Sequence, residues 1–325
     1  MIGPRRAMSE LHKFLFDGMP VRGMLVRLDD DWQQVLARRA EADAWPPEVA
    51  ALVGQMCAAG VLMQSNIKFD GALVLQIAGD GPVKLAVAEV QPNLRFRATA
   101  KVVGAVPPGA PLQAMVDAHG QGRCAITLDP HARLPGQQPY QGVVALHDER
   151  GEPLHDLAAV LAHYMRQSEQ LDTRLVLAAD DRIAAGLLIQ RLPAQGGTGH
   201  KARRHEDEVG AGEDFNRIAH LAATLSADEL LTLDADTVLR RLFWQERLQR
   251  FEPRVPAFAC RCSRDRVRAM LVGLGRDESE SILAERGEVE VRCDFCGRPY
   301  RFDAVDVGSM FTPAGQQAPG SASAH

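Results

Sequence analysis

Four cysteines near the C-terminal end constrain this chain more than any other feature. Cys260 and Cys262 lie in FACRCS, and Cys293 and Cys296 lie in VRCDFCGRPY. A C-x-C pair about thirty residues from a C-x-x-C pair matches what a tetrahedral zinc site needs, because each pair supplies two sulfurs from one tight turn. In an extended strand alternate side chains face opposite ways, so Cys260 and Cys262 must sit in bent backbone to share a metal. Gly297 follows Cys296 and lets the chain turn as in a zinc knuckle. Tyr300 and Phe302 then alternate as a returning strand. Ser263 is placed to cap a helix over 264–271. Asp277 or Ser279 is placed to cap another, which Gly287 ends. A unit of about 50 residues has too small a core to be well stabilised alone, so a metal staple suits it.

Three uses of the quartet compete: a structural zinc site, a redox dithiol and a nucleic-acid-binding ribbon. A redox C-x-x-C opens a helix after a strand, whereas Cys296 is followed by Gly297, Arg298 and Pro299 and then strand-like residues. From Arg254 to Arg301 there are ten Arg against eight Asp or Glu. Four thiolates and one Zn²⁺ cancel that excess, which argues against phosphate binding. Catalytic zinc keeps an open position that four cysteines close, and no H-E-x-x-H or Ser-His-Asp signature accompanies the site. The reading is therefore not an enzyme. A four-thiolate zinc site is also chemically able to act as a switch: oxidation to disulfides expels the metal, and a metal-dependent fold is lost with it. Cys57 and Cys124 stand apart and read as small buried apolar residues.

The rest of the chain reads as α+β. Strands are expected over 21–28, 96–103, 124–128, 142–146, 175–178 and 186–192. A hairpin is expected from Leu73, Leu75 and Ile77 through Gly79-Asp80-Gly81-Pro82 to Val83, Leu85 and Val87. Helices are expected around Trp32, Val35 and Leu36, from Pro46-Pro47 to about 64, and over about 153–167. The second helix is apolar on most sides and should lie in the core. This N-terminal mixed domain, with a largely antiparallel sheet, is expected over 1–193. Gly196–Asp214 lacks apolar periodicity and reads as a charged flexible linker. Short amphipathic helices follow, carrying Phe215, Ile218, Leu221, Ala222 and Leu225, then a Ser226/Glu229 capping box, then Asp234 or Asp236 ahead of Val238, Leu239, Leu242 and Phe243. They form either a small subdomain or a conditionally folded segment, and the sequence favours neither. The division expected is 194–255 for the linker and helical region, 256–312 for the zinc domain and 313–325 for a disordered tail. The net charge of −5 argues against general nucleic-acid or anionic-membrane binding. No apolar run reaches the ~18 residues of a membrane span, and MIGPRRAMSE shows no secretory h-region, so a cytoplasmic location is expected.

Taken together, these stretches resemble the heat-shock protein 33 family of redox-regulated holdase chaperones. The resemblance rests on FACRCSRDR, ESILAERGEVEV and CDFCGRPYRFDAVD around the cysteines. It continues through LHKFLFDGMPVRG, IKFDG, GDGPVKLAV, YQGVVAL, MRQSEQLDTR and SADELLTLDADTVLRRLF, and so covers nearly the whole chain. The chain departs from the family pattern in its longer charged linker, in Asp172 where proline is usual, and in its tail after Phe311. The resemblance implies one Zn²⁺ per chain on Cys260, Cys262, Cys293 and Cys296 in a reduced, nearly inactive form. It also implies Cys260–Cys262 and Cys293–Cys296 disulfides on oxidation, with loss of zinc and unfolding of the zinc domain and helical linker. Unfolding client proteins would then be bound without ATP by a homodimer.

Overall fold

A computed structural model describes residues 8–41, 44–132, 138–193 and 201–312, with 201–211 described in backbone only. Two compact units result, 1–259 and 260–325. In the first, β1 (Glu10–Phe16) and β2 (Val21–Leu28) form a hairpin that leads into α1 (Asp30–Ala40) and α2 (Pro47–Gln64). Next come β3 (Gly71–Ala78), β4 (Val83–Val90), β5 (Arg95–Val102), α3 (Leu112–Val116), β6 (Arg123–Pro130) and β7 (Tyr140–Ala145). The unit continues with α4 (Leu157–Ser168), β8 (Thr173–Ala179), β9 (Ala184–Arg191), α5 (Lys201–Ala223), α6 (Ala227–Thr232) and α7 (Ala235–Phe243). It closes with β10 (Leu248–Arg250) and β11 (Ala257–Phe258).

These strands make a five-stranded sheet, β10-β1-β2-β9-β8, and a six-stranded sheet, β11-β5-β4-β3-β6-β7. Pairing is antiparallel apart from β11 on β5, as an α+β reading requires. Helix α2 packs against strands of both sheets. That explains its lack of a polar face, since residues on every side, from Val49 to Met63, are buried. Cys57 and Cys124 are buried in this core. Burial pushes the Cys124 thiol up to about 12 and raises that of Cys57 further, so both stay protonated.

The five-stranded sheet is apolar on both faces. Met24, Val26, Leu28 and Leu188 belong to the α2 side. Phe14, Phe16, Val21, Leu25, Ala185, Leu187 and Ile189 pack with Phe215, Ile218, Ala222, Leu225, Leu230, Val238, Leu239, Leu242 and Phe243 of α5–α7. The short amphipathic helices expected to need a packing partner are packed on this sheet, within the first compact unit. The stretch read as a flexible linker is helical from Lys201 onward. Lack of an apolar stripe argues against packing but not against a helix, and this one extends back from a docked C-terminal half, past Gly210 and Gly212, into a stretch where Lys201, Ala202, Arg203, Arg204, Glu206 and Glu208 are good helix formers. The rest of that linker, 194–200, and the tail expected to be disordered, 313–325, lie outside the described residues.

Strand β1 and helix α3 were not expected. In β1 the ELHKFLF pattern is interrupted by His12 and Lys13, whose side chains find partners far along the chain.

Candidate metal centre and the docked helical segment

The second unit is built around the cysteines. Cys260 and Cys262 lie in irregular backbone before α8 (Arg264–Leu274), which Ser263 caps by accepting from the Arg266 N–H. Helix α9 (Arg276–Arg286) follows directly. Its N-cap is Gly275, at φ 106°, and neither Asp277 nor Ser279. Ser279 instead turns its hydroxyl back to the Gly275 carbonyl at 2.9 Å, and a left-handed Gly287 ends the helix. Strands β12 (Val289–Arg292) and β13 (Pro299–Phe302) then pair antiparallel and hold the C-x-x-C turn between them. In that turn the Gly297 N–H donates to the Cys293 carbonyl at 2.8 Å, and the Cys293 N–H donates to the Arg298 carbonyl at 3.0 Å. Gly297 has φ 67°, a left-handed conformation that a side chain would strain. Helix α10 (Ala304–Met310) closes the unit behind an Asp303/Asp306 capping box.

The four sulfurs lie within 4.8 Å of one another. Two close approaches run across the pairs, at 3.6 Å for Cys260–Cys293 and 3.4 Å for Cys262–Cys296. A tetrahedron with metal–sulfur bonds of ~2.3 Å has edges of roughly 3.8 Å, so the quartet is close to the size and donor type of a zinc site. Backbone N–H groups surround the sulfurs. The Cys293 thiol is held down to about 4 by the hydrogen bond from Cys260, aided by the N–H groups of Cys296 and Phe295. The same shared proton raises Cys260. Cys296 is pushed up to about 11, chiefly by burial. One more group reaches the cluster: the Tyr300 hydroxyl donates to Cys262 Sγ at 3.1 Å.

Around this site the core is small: Val267, Leu271, Val289, Tyr300, Phe302 and Val307 are its buried members among the described residues. Arg264 stacks 4.3 Å above the Phe302 ring and pairs with Asp306 at 2.6 Å. So little apolar burial leaves a metal staple a large share of the stability, and the residues present fit one.

A second candidate feature lies in the first unit, where α5–α7 cover the five-stranded sheet. The rings of Phe14, Phe16 and Phe243 meet with centroids 5.0–6.1 Å apart. Phe14 lies so close over Gly23 that a Cβ there would come within 2.1 Å of its ring. Ser226 and Glu229 form the expected capping box, and Asp234 caps α7 by accepting from the Thr237 N–H at 2.9 Å. The polar anchor of the segment is Arg27, which is 8% exposed. From β2 its guanidinium donates to the carbonyls of Leu230 at 2.8 Å, Leu233 at 2.6 Å and Leu231 at 3.2 Å, meeting the C-terminal end of α6. Arg217 with Glu246, Arg241 with Glu229, and Arg250 with Asp236 add ion pairs at the margin.

Sequence reasoning missed Arg27 and the partner surface of α5–α7. A signal was present in AAGLLIQ of β9, where seven consecutive buried residues mark a strand covered on both faces. Tyr300 was read only as a strand residue.

Comparison with known proteins agrees with this architecture. The family described as "Hsp33 protein" matches residues 9–303. The chain is 46% identical to the "33 kDa chaperonin" of Chromobacterium violaceum over 303 residues, covering 93% of this chain and 94% of that one. It is 40% identical to the "33 kDa chaperonin" of Nitrosococcus oceani over 304 residues, covering 94% of each. The crystal structure of the Hsp33 homologue from Thermotoga maritima shares the fold, with a TM-score of 0.73 at 21% identity over 93% of this chain and 97% of that one. Among the described residues no helix is long and apolar enough to cross a membrane. With a family match over nearly its whole length and close curated relatives, the chain belongs to the Hsp33 family of chaperones.

Proposed function

We propose that this protein is a redox-switched holdase that works without ATP in the cytoplasm and has no enzymatic turnover. The observation that carries this reading is one chain holding both a four-thiol cluster and an apolar sheet face covered by a helical segment. In the reduced state Cys260, Cys262, Cys293 and Cys296 hold one Zn²⁺, which fixes the fold of the second unit. Oxidation joins Cys260 to Cys262 and Cys293 to Cys296. In each pair a thiolate attacks a peroxide oxygen and the O–O bond breaks, leaving a sulfenic acid and hydroxide. The second thiolate then displaces a further hydroxide as the S–S bond forms. With its donors consumed, the site loses the metal and the second unit unfolds.

The helical segment follows. Its helices are 6–23 residues long, and α6 and α7 are too short to persist without the sheet they pack on. Between α7 and Cys260 the paired strands are short, β10 of three residues and β11 of two, with a single Leu11–Arg254 bridge between them. Release uncovers Phe14, Phe16, Val21, Leu25, Leu187 and Ile189 on the sheet and the apolar faces of α5–α7. Surface of that extent binds unfolding client proteins non-specifically, and two such chains pair as a homodimer. Nucleic acid and membrane are not partners in this reading.

The test incubates reduced, zinc-loaded protein with peroxide at raised temperature. It follows zinc release, free thiols and suppression of a client's aggregation together. Loss of four thiols and one zinc should precede a rise in client protection. Equal protection before and after oxidation would sink the switch.

A further inference from the structure

We infer that Tyr300 is a built-in brake on oxidation of the cysteine cluster, acting through its hydrogen bond to Cys262; the inference rests on the zinc-switch reading above. Tyr300 stands on β13 opposite Val291 of β12, with its ring in the core of the second unit and 8% of the residue exposed. Its hydroxyl reaches Cys262 Sγ at 3.1 Å, within the range of a hydrogen bond to sulfur. When all four sulfurs are metal-bound thiolates Cys262 has no proton to give, so the Tyr300 O–H can only donate.

This arrangement has a chemical consequence. A thiolate attacks peroxide with a sulfur lone pair. In that step an S–O bond forms and the O–O bond breaks, giving a sulfenic acid and hydroxide. The Tyr300 hydrogen bond stabilises the electron density that must be donated, and the bond weakens as the sulfur loses negative charge. It therefore lowers the ground state more than the transition state and slows attack at Cys262. Because the ring is also core, hydroxyl and sulfur are held together for as long as the unit stays folded. Once one disulfide loosens the fold, the brake is released along with it. The cluster thus resists low oxidant levels and responds more fully when the threshold is passed.

The test uses the full-length, reduced, zinc-loaded protein and Tyr300→Phe, which keeps the ring and removes only the oxygen. Zinc release under peroxide is followed with a chromophoric chelator, and zinc content and free thiols are counted beforehand. The second-order rate of release should rise about three- to tenfold in the variant, the effect of losing part of a charge-assisted hydrogen bond. A second measurement changes no side-chain packing. The chain has three tyrosines, Tyr140, Tyr164 and Tyr300, and biosynthetic replacement by 3-fluorotyrosine makes each hydroxyl a stronger donor. Release should then slow in the otherwise wild-type chain and be unaffected in Tyr300→Phe. If both chains hold one zinc and release it at equal rates, with no effect of fluorination, the brake is refuted. If wild type holds no zinc, the zinc reading itself fails. If Tyr300→Phe does not retain zinc, the fluorination result in the wild-type chain decides alone.

Discussion

Replacing Arg27 with Met should make the protein a chaperone without oxidation. Met keeps the apolar stem of the side chain and removes the guanidinium that meets three carbonyls at the end of α6, at 2.6, 2.8 and 3.2 Å. Each such bond contributes a net ~1 kcal/mol, so about 3 kcal/mol of docking is lost. Breaking a buried charged contact typically costs about 3–5 kcal/mol, which places the estimate at the lower end of that range. Asp29 adds to the effect. Its pKa is already raised, first by burial, and Arg27 is the leading influence holding it down, so without Arg27 its carboxylate is buried with less compensation. A loss of about 3 kcal/mol multiplies the undocked population roughly 150-fold. The assay compares reduced wild type and variant, each loaded with zinc, in suppressing aggregation of a heat-unfolded client, alongside amide exchange over residues 212–243. The variant should protect the client while its four thiols remain reduced, and the α6 and α7 amides should exchange faster. If those amides stayed as protected as in wild type, the account of Arg27 as the anchor would be wrong. If they exchanged freely with no gain in client protection, the uncovered sheet face would not be the client surface.

Three further outcomes are expected. Phe243→Ala empties the place where three rings meet and should cost about 3–5 kcal/mol in the first unit, read as a lower midpoint in urea with an unchanged slope. Asp234 caps α7, and hydrogen bonds from the Thr237 backbone and side chain hold its pKa below the ordinary value. Its stabilising contribution is therefore complete above the unfolded carboxylate pKa of ~3.9 and lost as pH falls through the lowered folded value. Asp234→Ala should remove about 0.5–2 kcal/mol at neutral pH and abolish that acid-side slope in urea titrations. Cys296→Ser should weaken zinc binding and loosen the second unit, seen as loss of amide protection over 264–310; unchanged zinc affinity would contradict a four-ligand site.

Local chemistry was legible in the amino-acid sequence. The C-x-C and C-x-x-C spacings within each cysteine pair, the caps at Ser226, Asp234 and Ser263, the left-handed Gly287 and the mostly apolar α2 depend on residues within a few positions of each other. Propensity, turn chemistry and ligand spacing are properties of short stretches, so short stretches reveal them. Tertiary structure alone decided which surfaces cover which. Arg27 meets Leu230, Leu231 and Leu233 across some two hundred residues, and Phe14 meets Phe243 across a still longer span. Sulfurs of the two motifs meet across more than thirty residues of chain, Cys260 with Cys293 and Cys262 with Cys296. Tyr300 reaches Cys262 only because β13 returns beside β12. Such contacts arise from the packing of the whole chain, in which an arginine on a strand or a tyrosine in a hairpin carries no mark of the distant group it will meet.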